Sequence, residues 1–101
     1  MTKLSESQIT SRLKALDGWE SKNGFLTKTF EFRTFMAGIK FVNDVAAIAE
    51  LLEHHPDIHI RWTTIKLQIQ THDEGGITAL DFKLASEIEK YLHQKPSLLT
   101  K

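Results

Sequence analysis

The sequence contains no cysteine. Disulfides and thiolate metal sites are therefore excluded, and a cytoplasmic address fits. No apolar run approaches the roughly 20 residues of a membrane span. The opening residues, Met1-Thr2-Lys3-Leu4-Ser5-Glu6, carry no apolar signal region. Neither sign of charge dominates. Lys+Arg and Asp+Glu each count 13, so the formal net charge is zero. That balance removes the electrostatic argument for nucleic acid or an anionic membrane as partner. Repeats, linkers and low-complexity stretches are absent as well. What is present suffices for one domain spanning 1–101 and is too short for two. Hydrophobic residues make up 41%, enough for a core without covalent staples.

The local signals predict seven elements. Ser5 is an N-cap with Gln8 as capping-box partner. Leu4 and Ile9 are placed as a hydrophobic staple, and Ile9, Leu13 and Leu16 form the stripe of a first helix that Gly18 should stop. Trp19 to Lys22 and Phe25 to Phe30 flank Asn23-Gly24, a strong hairpin signal because both turn residues need positive φ. Phe35, Ile39, Val42, Val45, Ala49 and Leu52 follow helical spacing. They predict a second helix from about Thr34 to His54 or His55, ended by Pro56. A second row, Phe41, Ile48 and Leu51, widens its apolar face beyond one contact, which predicts an oligomer through this helix, the adjoining sheet edge, or both. Ile58, Ile60 and Trp62 alternate with polar residues, as do Ile65, Leu67 and Ile69. These are two half-buried strands joined near Thr63-Thr64. Thr78 caps a last helix with Asp81 as box partner, Leu80, Leu84, Ile88 and Tyr91 form its stripe, and Pro96 closes it before a fraying tail. The order αββαββα implies an α+β fold, a four-stranded antiparallel sheet with helices packed on one face.

Three of the five histidines fall at element ends, where a rigid scaffold usually presents functional side chains. His54 and His55 sit at the end of the second helix, and His72 follows the fourth strand. Glu50, four residues before His54, can reach that imidazole on the same helix face. The helix C-terminus also favours imidazolium. Such a group can give and take a proton near neutral pH, as general acid–base catalysis requires. A histidine metal site is poorly supported. Neighbouring His54 and His55 would point about 100° apart on a helix, and Pro56 interrupts the spacing between His55 and His59. Trp62 shares parity with Ile58 and Ile60, so it can be core. Asp81 can be a cap and nothing more, in which case its loss should show in melting rather than turnover.

These residues together resemble a family. Three residues separate Glu50 from His54-His55-Pro56, nine separate Trp62 from His72, and eight separate His72 from Asp81. This run is similar to the signature of the pterin-4a-carbinolamine dehydratases. Thr71-His72 with Gly76-Ile77-Thr78 resembles a further family segment, with Ile77 in place of the commoner leucine, and Gly18-Trp19 resembles its early Gly-Trp.

The resemblance implies a dehydratase that removes water from 4a-hydroxytetrahydropterin to give a quinonoid dihydropterin. That reaction recycles the pterin cofactor of aromatic amino acid hydroxylases. His54, His55 and His72 would be catalytic, and the enzyme would need no metal or other cofactor. Glu53, Gln70, Thr71 and Asp73 would contact the pterin, Trp19, Trp62 and Pro56 are candidates for its apolar wall, and Glu50 and Asp81 would support the site. The assembly would be a homodimer or homotetramer. The first alternative is a protein of the same fold that binds another protein, as a dimerisation cofactor, without significant catalysis. The second is a small histidine metal binder.

Overall fold

The computed structural model describes residues 2–99. Its elements run α1 (Glu6–Leu13), β1 (Glu20–Lys22), β2 (Phe25–Glu31), α2 (Phe35–Leu52), β3 (Asp57–Arg61), β4 (Thr64–Ile69) and α3 (Ala79–His93), with short 3-10 turns at His72–Glu74 and Pro96–Leu98. The strands form one antiparallel sheet in the order β1-β2-β4-β3. Asn23 and Gly24 take φ of 54° and 81°, as a tight hairpin between β1 and β2 demands. Alternation sorts the faces. Leu26, Phe30, Ile65, Leu67 and Ile69 are buried under the helices, while Thr29, Glu31, His59, Arg61 and Lys66 are exposed on the other side. Phe41, Val45 and Ala49 of α2 close the core over this inner face together with Phe82, Leu84, Ala85 and Ile88 of α3. The α+β architecture is therefore the one the sequence predicts.

Several boundaries differ from that reading, each for a local reason. The helix α1 stops at Leu13 rather than at Gly18. Beyond it the chain tightens into turns in which Ala15 N–H reaches Arg12 and Leu16 N–H reaches Leu13, which buries Leu16. Gly18 does take φ of 84°, but after these turns. The helix α2 stops at Leu52, so His54 and His55 lie beyond it. Its stop signal is not Pro56 but Glu53, which adopts a left-handed conformation. The Glu53 N–H donates to the Glu50 carbonyl at 3.2 Å and the His54 N–H to Ala49 at 3.0 Å, the paired bonds of a Schellman motif. The helix α3 ends at His93, three residues before Pro96. As far as Leu99 the tail is tied to the start of α2 and the end of β2. Arg33 N–H donates to Leu98, and Leu99 bridges Phe32. Thr100 and Lys101 lie outside the described residues.

Two aromatic expectations also change. Trp62 is not in a strand. It occupies the left-handed position of the turn between β3 and β4 and is 76% exposed. The second apolar row of α2 is partly covered by this chain itself. Phe41 is buried and Ile48 half-buried, while Leu51 is exposed. The exposed large apolar residues of α2 are Phe35, Met36 and Leu51.

Candidate active site

The end of α2, the start of β3, the end of β4 and the start of α3 meet at one end of the sheet. A fully buried carboxylate, Asp81, organises that meeting. One oxygen serves the helix. Oδ2 accepts from the Thr78 backbone N–H at 2.8 Å, completing the expected capping box, and from the Thr71 hydroxyl at 3.0 Å. The Thr71 and Thr78 hydroxyls are themselves 2.7 Å apart. The other oxygen serves a histidine: Oδ1 lies 2.5 Å from Nε2 of His54. Capping thus accounts for only half of Asp81. The reading of it as a cap alone missed the second contact, because nothing in Thr78-Ala79-Leu80-Asp81 shows that residue 54 arrives there.

The left-handed turn at Glu53 is what brings it. By reversing the chain after α2, it turns His54 inward, where its side chain is only 11% exposed, and leaves His55 outward at 61%. Glu50 pairs with His55, Nε2 to Oε2 at 2.5 Å, and not with His54 as helical spacing suggests. The helix on which that spacing was counted has already ended. His72 opens the 3-10 turn after Thr71 and is exposed. Gln70, just before, donates its amide to the Gly24 carbonyl at 3.0 Å and so ties this end of β4 to the first hairpin. Asp73 and Glu53 are exposed, and Pro56 is half-buried.

Both tryptophans lie elsewhere in the chain. Trp19 is core, its indole N–H donating to Glu89 in the middle of α3 at 2.8 Å. Trp62 stands at the opposite end of β3 from His54. Among the described residues no group of three or more His, Asp or Glu side chains is arranged to hold a metal ion. No helix among them is long and apolar enough to cross a membrane.

The arrangement can handle protons. An ionised Asp81 can only accept hydrogen bonds, so with Asp81 ionised Nε2 of His54 would be the donor in this contact, and Nδ1 would be the nitrogen left for other partners. The buried carboxylate is satisfied on both oxygens, which holds the ring in one orientation.

Comparison with known proteins identifies the family. The family model for pterin 4 alpha carbinolamine dehydratase matches residues 2–91. The chain belongs to the pterin-4a-carbinolamine dehydratase family. It is 44% identical over 91 residues to a Roseiflexus protein, covering 90% of this chain and 98% of that one. It is 43% identical over 96 residues to one from Metallosphaera sedula, covering 92% and 100%. Both carry the name "Putative pterin-4-alpha-carbinolamine dehydratase". Among solved structures, the transcriptional coactivator/pterin dehydratase from Brucella melitensis superposes with a TM-score of 0.84 at 33% identity, over 88% of this chain and 97% of that one. A pterin dehydratase-like protein described as a RuBisCO assembly factor in the alpha-carboxysome shares the fold, with a TM-score of 0.59 at 19% identity over 71% of this chain and 83% of that one.

Proposed function

We propose that this chain dehydrates 4a-hydroxytetrahydropterin to the quinonoid dihydropterin by histidine acid–base catalysis. The observation that carries the reading is the junction of His54 with buried Asp81, with Thr71 bound to the same carboxylate and His55 and His72 flanking it in sequence. In the reaction the C4a–O bond breaks and the hydroxyl leaves as water after taking a proton. The N5–H bond gives up its proton, and its electron pair forms the C4a=N5 double bond. One proton is delivered and one removed, so the sum is substrate to product plus water, with no redox partner. Imidazoles suit both transfers near neutral pH. His54, oriented by Asp81, and the exposed His55 and His72 are the groups assigned to them. Glu53, Pro56, Gln70, Thr71 and Asp73 border the same end of the sheet and would hold the pterin. Glu50 would steady His55.

The deciding experiment is dehydration of synthetic 4a-hydroxytetrahydropterin, with and without a chelator. Turnover that survives the chelator is expected. Turnover lost on chelation would favour a metal-dependent site. No acceleration over the spontaneous reaction would leave the partner-binding reading of the fold.

A further inference from the structure

The carboxylate of Asp81 holds more than His54. Its Oδ2 accepts from the Thr71 hydroxyl at 3.0 Å, and Thr71 is the residue just before His72. A hydroxyl has one proton to give. That of Thr71 goes to Asp81, so the 2.7 Å contact between the two threonine hydroxyls has Thr78 as its donor. The Thr78 oxygen in turn accepts from the Leu80 N–H at 3.2 Å. Each hydroxyl proton in the run from Thr78 to Thr71 to Asp81 thus has a fixed direction. Thr71 can offer a bound molecule its methyl group and one lone pair, but no proton.

Thr71 is also one foot of the turn that carries His72. Its N–H donates to the Gly76 carbonyl at 2.9 Å, which closes the loop 72–75. Its carbonyl accepts from the Glu74 N–H at 3.0 Å, and the Gly75 N–H reaches back to the His72 carbonyl at 3.0 Å. Gly75 supplies the left-handed φ of 71° that this return requires. The other foot is anchored separately. Ile77 is buried, and its carbonyl accepts from the Leu4 N–H at 2.8 Å. Between the feet, His72, Asp73, Glu74 and Gly75 are all exposed, so the feet set their position and not packing.

Two histidines from different elements are therefore referred to one buried group. His54 arrives from the end of α2 and lies 2.5 Å from Oδ1. The His72 turn stands on Oδ2 through Thr71. Asp81 itself is fully buried in the first turn of α3. A carboxylate is planar and rigid, so its two oxygens fix the two partners relative to each other.

We propose that Thr71 is a positioning residue, whose hydroxyl registers the His72 turn against His54 through the shared Asp81 carboxylate. A reaction that delivers one proton and removes another needs both groups at a fixed spacing, and a misplacement of about 1 Å can cost roughly 10²-fold in rate. The purpose of the link rests on the proposed dehydratase reading. The link itself does not.

Three substitutions at one position test it. Thr71→Val keeps the branched shape and removes the hydroxyl, Thr71→Ala leaves room for a water, and Thr71→Ser keeps the hydroxyl. Valine and alanine should lower kcat by about tenfold or more with KM within about twofold of wild type, and serine should restore kcat. If valine does not fold, alanine and serine carry the comparison. Native-state hydrogen exchange reads the turn directly. The Glu74 and Gly75 amides should exchange roughly fivefold faster in the valine and alanine variants, the change in a local opening equilibrium when one ordinary hydrogen bond is lost. Thr78→Ala loosens the cap of α3 but leaves Thr71 on Asp81, so it should change neither kcat nor that exchange. A raised KM with kcat intact would make Thr71 a substrate contact and overturn the proposal. So would lower melting with both constants intact, which would make the hydroxyl structural only. A fall in kcat without faster exchange at Glu74 and Gly75 would show that Thr71 does not act through the turn, and would overturn it as well. A wild type without turnover would sink the dehydratase reading and the purpose of the link, and the exchange measurement would still decide whether the hydroxyl holds the turn.

Discussion

Asp44 and Asp81 both join the α2 side of the molecule to α3, and they differ in what they accept from. Asp44, midway along α2, accepts from the Tyr91 hydroxyl, with Lys40 one turn away at 3.2 Å. The Tyr91 bond holds the Asp44 carboxyl below its ordinary value, and burial together with Asp44 pushes the tyrosine up. Neither partner exchanges a proton near neutral pH, so the contact is a tie and nothing else. Asp81 is fully buried and accepts from two donors that are fixed in protonation, Thr78 N–H and the Thr71 hydroxyl, and from one that is not, His54. The same residue type therefore serves as a fastener in one place and, in the other, as the partner of the imidazole we propose to be catalytic. What separates them is the chemistry of the donor, not the burial of the acid.

The largest expected effect breaks the Asp81 side of that comparison at its donor. His54→Ala and His72→Ala should each lower turnover by about 10²–10⁴-fold, the usual cost of losing a positioned acid or base. They should differ in stability. His54→Ala leaves Oδ1 of a buried carboxylate without its partner, which costs on the order of 1–3 kcal/mol. His72 is exposed and its loss should leave melting unchanged. Wild-type turnover in both variants would remove the histidines from the mechanism.

Next comes the acceptor. Asp81→Asn keeps an oxygen for Thr78 N–H and offers an amide to His54, which turns the Nε2 contact into a donation from the protein and drives the ring proton to Nδ1. Turnover should fall by about 10²-fold or more with melting close to wild type, since a wrong tautomer spoils acid–base chemistry while geometry survives. Asp44→Asn should leave turnover unchanged. Thr78→Ala removes a cap and should cost about 0.5–2 kcal/mol with turnover largely retained. If Asp81→Asn matched Thr78→Ala in both measurements, Asp81 would be a cap after all.

How much of this was legible beforehand follows from the range of each signal. The hairpin at Asn23-Gly24, both capping boxes and the strand alternation are written within a few residues, and all appear in the structure. The family resemblance was legible too, since it rests on spacing. Contacts that depend on how a chain turns between elements were not. Pro56 suggested a helix reaching His54 or His55, but Glu53 ends it earlier, and the pairing expected for His54 passes to His55. A left-handed glutamate has no sequence signature, unlike a glycine. Trp62 looked like a strand residue by parity and is a turn residue by backbone.

A smaller effect sharpens the Asp44 side. Tyr91→Phe should destabilise by about 0.5–1.5 kcal/mol without a change in rate, the ordinary net worth of a hydrogen bond. Asp44 has a lowered folded value, so its contribution is present above the ordinary carboxylate range near 4 and is lost as pH falls through the folded value. Tyr91 has a raised one, so its contribution is present below about 10 and fades only as pH rises beyond that. The melting difference between wild type and Tyr91→Phe should thus be widest from about pH 5 to 9 and shrink below about pH 4. A difference that stayed the same on acidification would mean that the Tyr91 hydroxyl does not act through ionised Asp44.

The smallest expected effect concerns Glu53, whose turn makes His54 and His55 diverge. A non-glycine residue in the left-handed region carries a steric cost of roughly 1–2 kcal/mol. Glycine removes that cost but gives the unfolded chain more freedom, which takes back about 0.4–1 kcal/mol. Glu53→Gly should therefore stabilise by about 0.5–1 kcal/mol, a rise of about 2–8 °C in Tm for a chain of this size. Glu53→Ala keeps the strain and should give no such gain. The turn is fixed by its two Schellman bonds as well as by residue type, so His54 should still reach Asp81 in both variants. If Glu53 holds only the backbone, Glu53→Gly melts higher and both kcat and KM stay near wild type. If its exposed carboxylate also contacts the pterin, both variants raise KM equally while only the glycine gains stability. A glycine variant that melted lower would show that the turn is held by the Glu53 side chain, and the account of how His54 is aimed would have to be redrawn.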